Sequence, residues 1–297
     1  GMKLATYKDG TRDGQLVVVS RDLSTAHYAT GIATRMQQVL DDWGFIAPQL
    51  QDLYETLNLG KARHAFPFDP ALCMAPLPRA YQWVDGSAYL SHVTTVRTAL
   101  QIDLSNDTLE TDPLMSQGSG DSFVGPHADI HCGNEAMGLD FEAELAVVIG
   151  KTTRFVSKED ALASVFGYAC FNDGSVRDYQ RKTSQWTIGK NFEGTGGFGP
   201  DLVTADELPV GCKGLRIQSR LNGKIMQDAN TDDMVFDVAT TISLMSECMT
   251  LLPGDVLVMG TPAGVGYART PPVFMKAGDT IEIDIERVGV LSNPILA

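Results

Sequence analysis

The chain has 297 residues, 43% of them hydrophobic and 20% charged, an ordinary globular composition with length enough for one large domain beside a small one. Its formal net charge of −14, with no basic run, makes nucleic acid and anionic membrane surfaces poor partners. Five scattered cysteines, Cys73, Cys132, Cys170, Cys212 and Cys248, form no CxxC pair, which fits a reducing cytoplasm better than a disulfide framework or a zinc site. No apolar run approaches the roughly 18 residues of a membrane span and no signal-peptide pattern opens the chain, so the expectation is a cytoplasmic protein.

In chain order, residues 3–19 read as a β-hairpin around a Gly- and Asp-rich turn. Apolar positions then recur at helical spacing over 32–42 and again over 48–59. Pro67, Pro70, Pro76 and Pro78 punctuate a linker, which places a domain boundary near residue 80. Residues 89–100 predict a helix, and a polar Gly/Ser/Asp stretch covers 106–133. Beyond it, short β runs fall at 141–149, 167–172, 215–221, 255–259 and 280–286, with helices expected at 158–165, 175–183 and 237–249. This is a strand-rich α+β pattern, not regular βαβ winding.

Glu142 and Glu144 open the run at 141–149. Alternation puts both carboxylates on one face, about 7 Å apart along the strand. The residues after them are apolar on both faces, so the strand reads as buried, and paired buried carboxylates need a cation or protons. Asp173 ends a second buried-looking run, and Ser175 reads as the N-cap of a following helix, which would bring Asp173, Arg177 and Gln180 onto one side. Three carboxylates of this kind suit Mg²⁺, Mn²⁺ or Ca²⁺, and the shortage of His–Cys pairs disfavours zinc. Taken singly each element has a blander meaning: a Glu-x-Glu is usually a solvated edge, and Asn172-Asp-Gly-Ser usually a turn. The glycine-rich stretches at 194–199 and 260–266 lack the Gly-Lys-Ser/Thr ending of a phosphate loop, which excludes that mode of nucleotide binding.

Together these segments resemble the fumarylacetoacetate hydrolase family. The likeness rests on Glu142-x-Glu144, Asn172-Asp-Gly-Ser-Val-Arg-Asp-Tyr-Gln180, Gly189-Lys-Asn-Phe, Leu221-Asn-Gly-Lys-Ile-Met-Gln-Asp, the Gly-rich run after Leu252-Pro-Gly-Asp, and Ala277-Gly-Asp-Thr-Ile-Glu. It covers about residues 80–297, and residues 1–80 look like the small N-terminal domain of longer bacterial members. The resemblance implies a mixed-sheet β-roll catalytic domain over 81–297, usually a homodimer. It also implies a divalent ion held by Glu142, Glu144 and Asp173, with Asp85 as a fourth ligand. His92, spaced from Asp85 as in the hydrolase branch, would be the general base, with Glu282 orienting it. Lys190, Arg177 and Gln180 would stabilise an oxyanion, while Thr261 and Tyr89 would contact substrate.

The activity so implied is metal-dependent cleavage of a carbon–carbon bond in a small 1,3-diketo acid of the fumarylacetoacetate or acylpyruvate type, in aromatic catabolism. The alternative within the family is isomerase or decarboxylase action on a hydroxymuconate-type diacid. A Schiff-base lyase using Lys190, and a binding protein without turnover, are more distant readings. Glu193 and Gly197 depart from the family's usual aspartate and proline, which bears on substrate fit.

Overall fold

The computed structural model describes residues 1–80, 83–85, 117–118, 123–125, 130–131, 139–140, 142–173, 175–176, 196–234, 236–260 and 273–296. The expected hairpin forms from β1 (Lys3–Tyr7) and β2 (Gln15–Val19), and β3 (Thr25–Tyr28) adds to β2. Two helices follow, α1 (Met36–Asp41) and α2 (Trp43–Asn58). Helix α2 starts before Pro48 and carries it inside, whereas the sequence pattern places the helix start at that proline. Ile46, Leu50, Tyr54 and Leu57 supply its buried stripe.

Seven further strands and one helix position the site. They are β4 (Trp83–Asp85), β5 (Ala143–Ile149), β6 (Val165–Asp173), β7 (Gly196–Phe198), β8 (Leu202–Thr204), β9 (Arg216–Leu221), β10 (Lys224–Asn230) and α3 (Val238–Cys248). Then come β11 (Val256–Val258), β12 (Thr280–Ile285) and β13 (Gly289–Leu296). In the larger sheet the order runs β3-β2-β1-β8-β6-β5-β11-β4, with β7 branching from β6. The smaller sheet runs β10-β9-β12-β13. The mixed-sheet, helix-poor architecture expected from the sequence is what forms.

The large sheet is buried on both faces. Leu145, Val147, Ile149, Tyr168, Cys170 and Leu257 pack toward the smaller sheet and α3. Ala146, Val148, Ala169, Phe171, Val256 and Val258 pack toward α1, α2 and Trp83. A strand buried on both sides loses the polar–apolar alternation of a half-exposed one, which is why β5 reads as a continuous apolar run. At Gly167 an added Cβ would run into the Val203 backbone carbonyl, so glycine lets β6 lie close against β8.

Residues 1–80 are stitched to the rest by backbone pairing. Lys3 and Leu4 of β1 pair with Val203 and Leu202 of β8, making one sheet of the two halves. Around that seam the Met2 amide donates to Thr204 Oγ1 at 2.7 Å, and Tyr54 Oη donates to Glu207 Oε1 at 2.9 Å. The buried thiols of Cys73, Cys170 and Cys212 are free, and burial pushes each one's pKa up, that of Cys212 to about 12. They are packing groups, not nucleophiles.

Two expected helices differ. Residues 158–165 make only a 3-10 turn at Ala161–Ser164 before β6 begins at Val165. Ser175 and Val176 are not a helix start but a two-residue strand opposite Asp140 and Leu139. Serine after a strand serves a turn as readily as an N-cap. Residues 89–100 and 177–183 lie outside the described set.

Candidate metal and active site

Register puts the acidic positions on one side of the large sheet. Glu142 and Glu144 share the face of Ala146 and Val148, which packs into the N-terminal core. Ala143 pairs with Asn172, and Glu144 with Phe171. Asp173, the last residue of β6, is therefore one step beyond that pairing, beside Glu142, and pairs on its other side with Gly196. Across the sheet Ala146 pairs with Val258, and Val258 with Asp85 at the end of β4. Asp85 thus belongs to the same face, two strands or about 10 Å from β5.

Asp85, Glu142 and Glu144 are all buried, with relative exposures of 4%, 6% and 1%. Buried carboxylates are costly unless protons or a cation offset their charge, and carboxylate oxygens are donors of the kind a divalent ion takes. Among the described residues, no three His, Cys, Asp or Glu side chains already lie close enough to hold an ion. The Asp173 side chain, the remaining expected ligand, lies outside them.

The backbone carrying the glutamates is held by two buried side-chain amides. Asn172 Oδ1 accepts from the Glu142 N–H at 3.2 Å, and Gln227 Oε1 accepts from the Ala143 N–H at 3.1 Å. In the sequence Asn172 belongs to a turn-like motif, and Gln227 to a segment marked only by its family resemblance. The signal that marks them is burial, since both are at most 1% exposed, and burial of an amide is legible only once the strands are paired.

Glu282, expected to orient His92, projects from β12 on the polar face of the smaller sheet. Its Oε1 is 3.4 Å from Arg220 Nε, and Arg220 also reaches Asp284 at 2.9 Å. His92, Tyr89, Arg177, Gln180, Lys190 and Thr261 lie outside the described residues.

Two family models match the chain: the fumarylacetoacetate (FAA) hydrolase C-terminal model over residues 82–296 and the fumarylacetoacetase N-terminal domain 2 model over residues 2–79. The chain is 42% identical over 193 residues to a mitochondrial oxaloacetate tautomerase of Xenopus laevis, covering 64% of this chain and 60% of that protein. The match thus spans about three fifths of the length of that relative. An oxaloacetate tautomerase of Bacillus subtilis is 37% identical over 74% of this chain and 72% of its own. Among solved structures, the fumarylacetoacetate hydrolase of Exiguobacterium antarcticum superposes with a TM-score of 0.77 at 29% identity, covering 100% of both chains. The maleylpyruvate hydrolase of Sphingobium sp. SYK-6, in complex with manganese (II) ion and pyruvate, gives 0.73 at 26% identity over 99% of each. The chain belongs to the fumarylacetoacetate hydrolase family.

Proposed function

We propose that the chain is a divalent-metal-dependent enzyme that interconverts the keto and enol forms of a small 2-oxo dicarboxylic acid of the oxaloacetate class. The observation that carries this reading is the burial of Glu142 and Glu144 side by side on the face that Asp85 shares. With Asp173 they would hold Mg²⁺, or Mn²⁺ or Ca²⁺ in its place. A bound divalent ion would polarise the oxygens of a 2-oxo acid and lower the cost of its enolate. His92 would take and return the proton at the carbon beside the carbonyl. Lys190, Arg177 and Gln180 would donate to the developing oxyanion, with Thr261 and Tyr89 holding a substrate carboxylate. Tautomerisation needs no attacking water, so it does not require Glu282, whose carboxylate is engaged with Arg220.

Two relatives at 37% and 42% identity are named oxaloacetate tautomerases, which supports this choice. Carbon–carbon hydrolysis of a 1,3-diketo acid is the second reading, supported by the full-length likeness to the maleylpyruvate hydrolase. It would add a water deprotonated by a His92–Glu282 pair. The reading includes a homodimer with a domain junction near residue 80. The deciding experiment follows the decay of the enol form of freshly dissolved oxaloacetate with the protein, Mg²⁺ or Mn²⁺, and EDTA controls. Acylpyruvates and fumarylacetoacetate are tested in parallel for release of two acids. Cleavage without accelerated enol decay would replace the tautomerase reading with the hydrolase one.

A further inference from the structure

The acid pair opens β5, just before the stretch that β11 lines. Strand β11 ends at Val258, opposite Ala146, and Met259 N–H donates to Leu145 O at 2.9 Å. Backbone groups of Leu145, Val147 and Ile149 therefore face β11, and by alternation those of Ala143 face the same side. The Ala143 N–H donates to the side-chain oxygen of Gln227, which reaches across from β10 of the smaller sheet.

Gln227 is brought there by a specific irregularity. The β9–β10 hairpin closes on Asn222 and Gly223, both at positive φ (52° and 82°), the two-residue turn with Leu221 opposite Lys224. The register then slips: Ser219 pairs with Gln227 and Arg220 with Ile225, so Met226 is extra. Unbroken alternation would bury only one of two successive residues. With the bulge both Met226 and Gln227 are buried, at 7% and 1% exposure, and the amide lies opposite the buried Ser219. Buried amides are costly unless satisfied, so this one is fixed in place by what it bonds.

We propose that Gln227 is a positioning residue that clamps the peptide between Glu142 and Glu144 and thereby sets the spacing of the two carboxylates for a divalent cation. The inference rests on the metal-site reading given above. Asn172 holds the same segment from the opposite side, through the Glu142 N–H. Bracing of ligand-bearing groups by buried partners is typically worth about 10–100-fold in metal affinity.

The test is Mn²⁺ binding to the metal-free full chain, read by electron paramagnetic resonance of the free ion, with no substrate present. Gln227→Leu removes the acceptor at similar volume. Gln227→Asn keeps the amide but draws its oxygen back by one methylene, and serves should the leucine variant not fold. Either is expected to weaken Mn²⁺ binding by about 10-fold or more and to speed hydrogen exchange in a peptide containing Ala143. Val17→Ala, in the separate apolar cluster that Val17 forms with Tyr7 and Phe68, is the control for lost stability and should bind Mn²⁺ as the parent does. Undiminished Mn²⁺ affinity in a folded Gln227 variant, or equal weakening in Val17→Ala, would overturn the proposal. A parent protein that binds no Mn²⁺ would overturn the metal reading itself.

Discussion

Asp201 follows Pro200 between β7 and β8 and is fully buried. Neither of its side-chain oxygens accepts a hydrogen bond from another group among the described residues. Burial raises its pKa to about 7, against an ordinary 3.8, with Lys3 offering partial relief. A carboxyl that ionises about three powers of ten less readily when folded costs the folded state about 4 kcal/mol once both states are ionised. The sign follows from proton counting. Between pH 4 and pH 7 the folded chain keeps a proton that the unfolded chain has lost, so raising the pH through that window destabilises the fold. Asp201→Asn removes the ionisation at nearly constant volume. It should therefore leave stability almost unchanged near pH 4 and raise it by up to about 4 kcal/mol at pH 8, with the gain appearing between the two. Urea unfolding at a series of pH values, comparing parent and variant, measures this directly. A stability difference that does not vary with pH, or a variant less stable at pH 8, would show that Asp201 is ionised and accommodated at neutral pH, contrary to the burial argument.

Removing either glutamate should disable the proposed site: Glu142→Ala and Glu144→Ala are each expected to lose more than about 10-fold in Mn²⁺ affinity, measured by calorimetry, together with metal-dependent turnover. Retained affinity in both would reject the ligand assignment. Glu282→Gln separates the two activities, since tautomerisation should persist within a few-fold while any hydrolysis collapses; loss of enol decay would give Glu282 a part that its pairing with Arg220 does not suggest. That pairing is partly exposed, so Arg220→Ala is expected to change stability by no more than about 1 kcal/mol. Gly167→Ala drives a methyl into the Val203 carbonyl and should cost about 2 kcal/mol or more, seen as a lower melting temperature. An unaltered melting temperature would mean that β6 and β8 can separate without penalty.

How much of this was legible beforehand depends on the range of the cause. Strand β5 announced itself because apolar residues on both faces leave a local imprint, and α3 because its helical spacing is local too. Alternation alone puts Glu142 and Glu144 on one face, whereas the antiparallel pairing that sets position 173 beside Glu142 is visible only in the fold. Asp85 was tied to them only through resemblance; the structure supplies the physical link, a parallel pairing across β11 that no local pattern encodes. Strand β10 escaped notice because Lys224-Ile-Met-Gln-Asp-Ala-Asn is polar and its bulge breaks the period of two. Ser175 misled because capping and turning draw on the same short polar side chain.

The shared sheet of β1 and β8 bears on any attempt to dissect the chain. Cutting near residue 80 would strip β8 of its partner along Leu202 and Val203, two buried positions, and leave raw backbone donors and acceptors along a newly made margin. An isolated carboxy-terminal fragment would then seek another strand to fill that margin, by self-association or precipitation. A shorter protein built on the same carboxy-terminal half would have to blunt the margin by other means, such as charge, proline or a covering loop, and the first eighty residues here render such devices unnecessary.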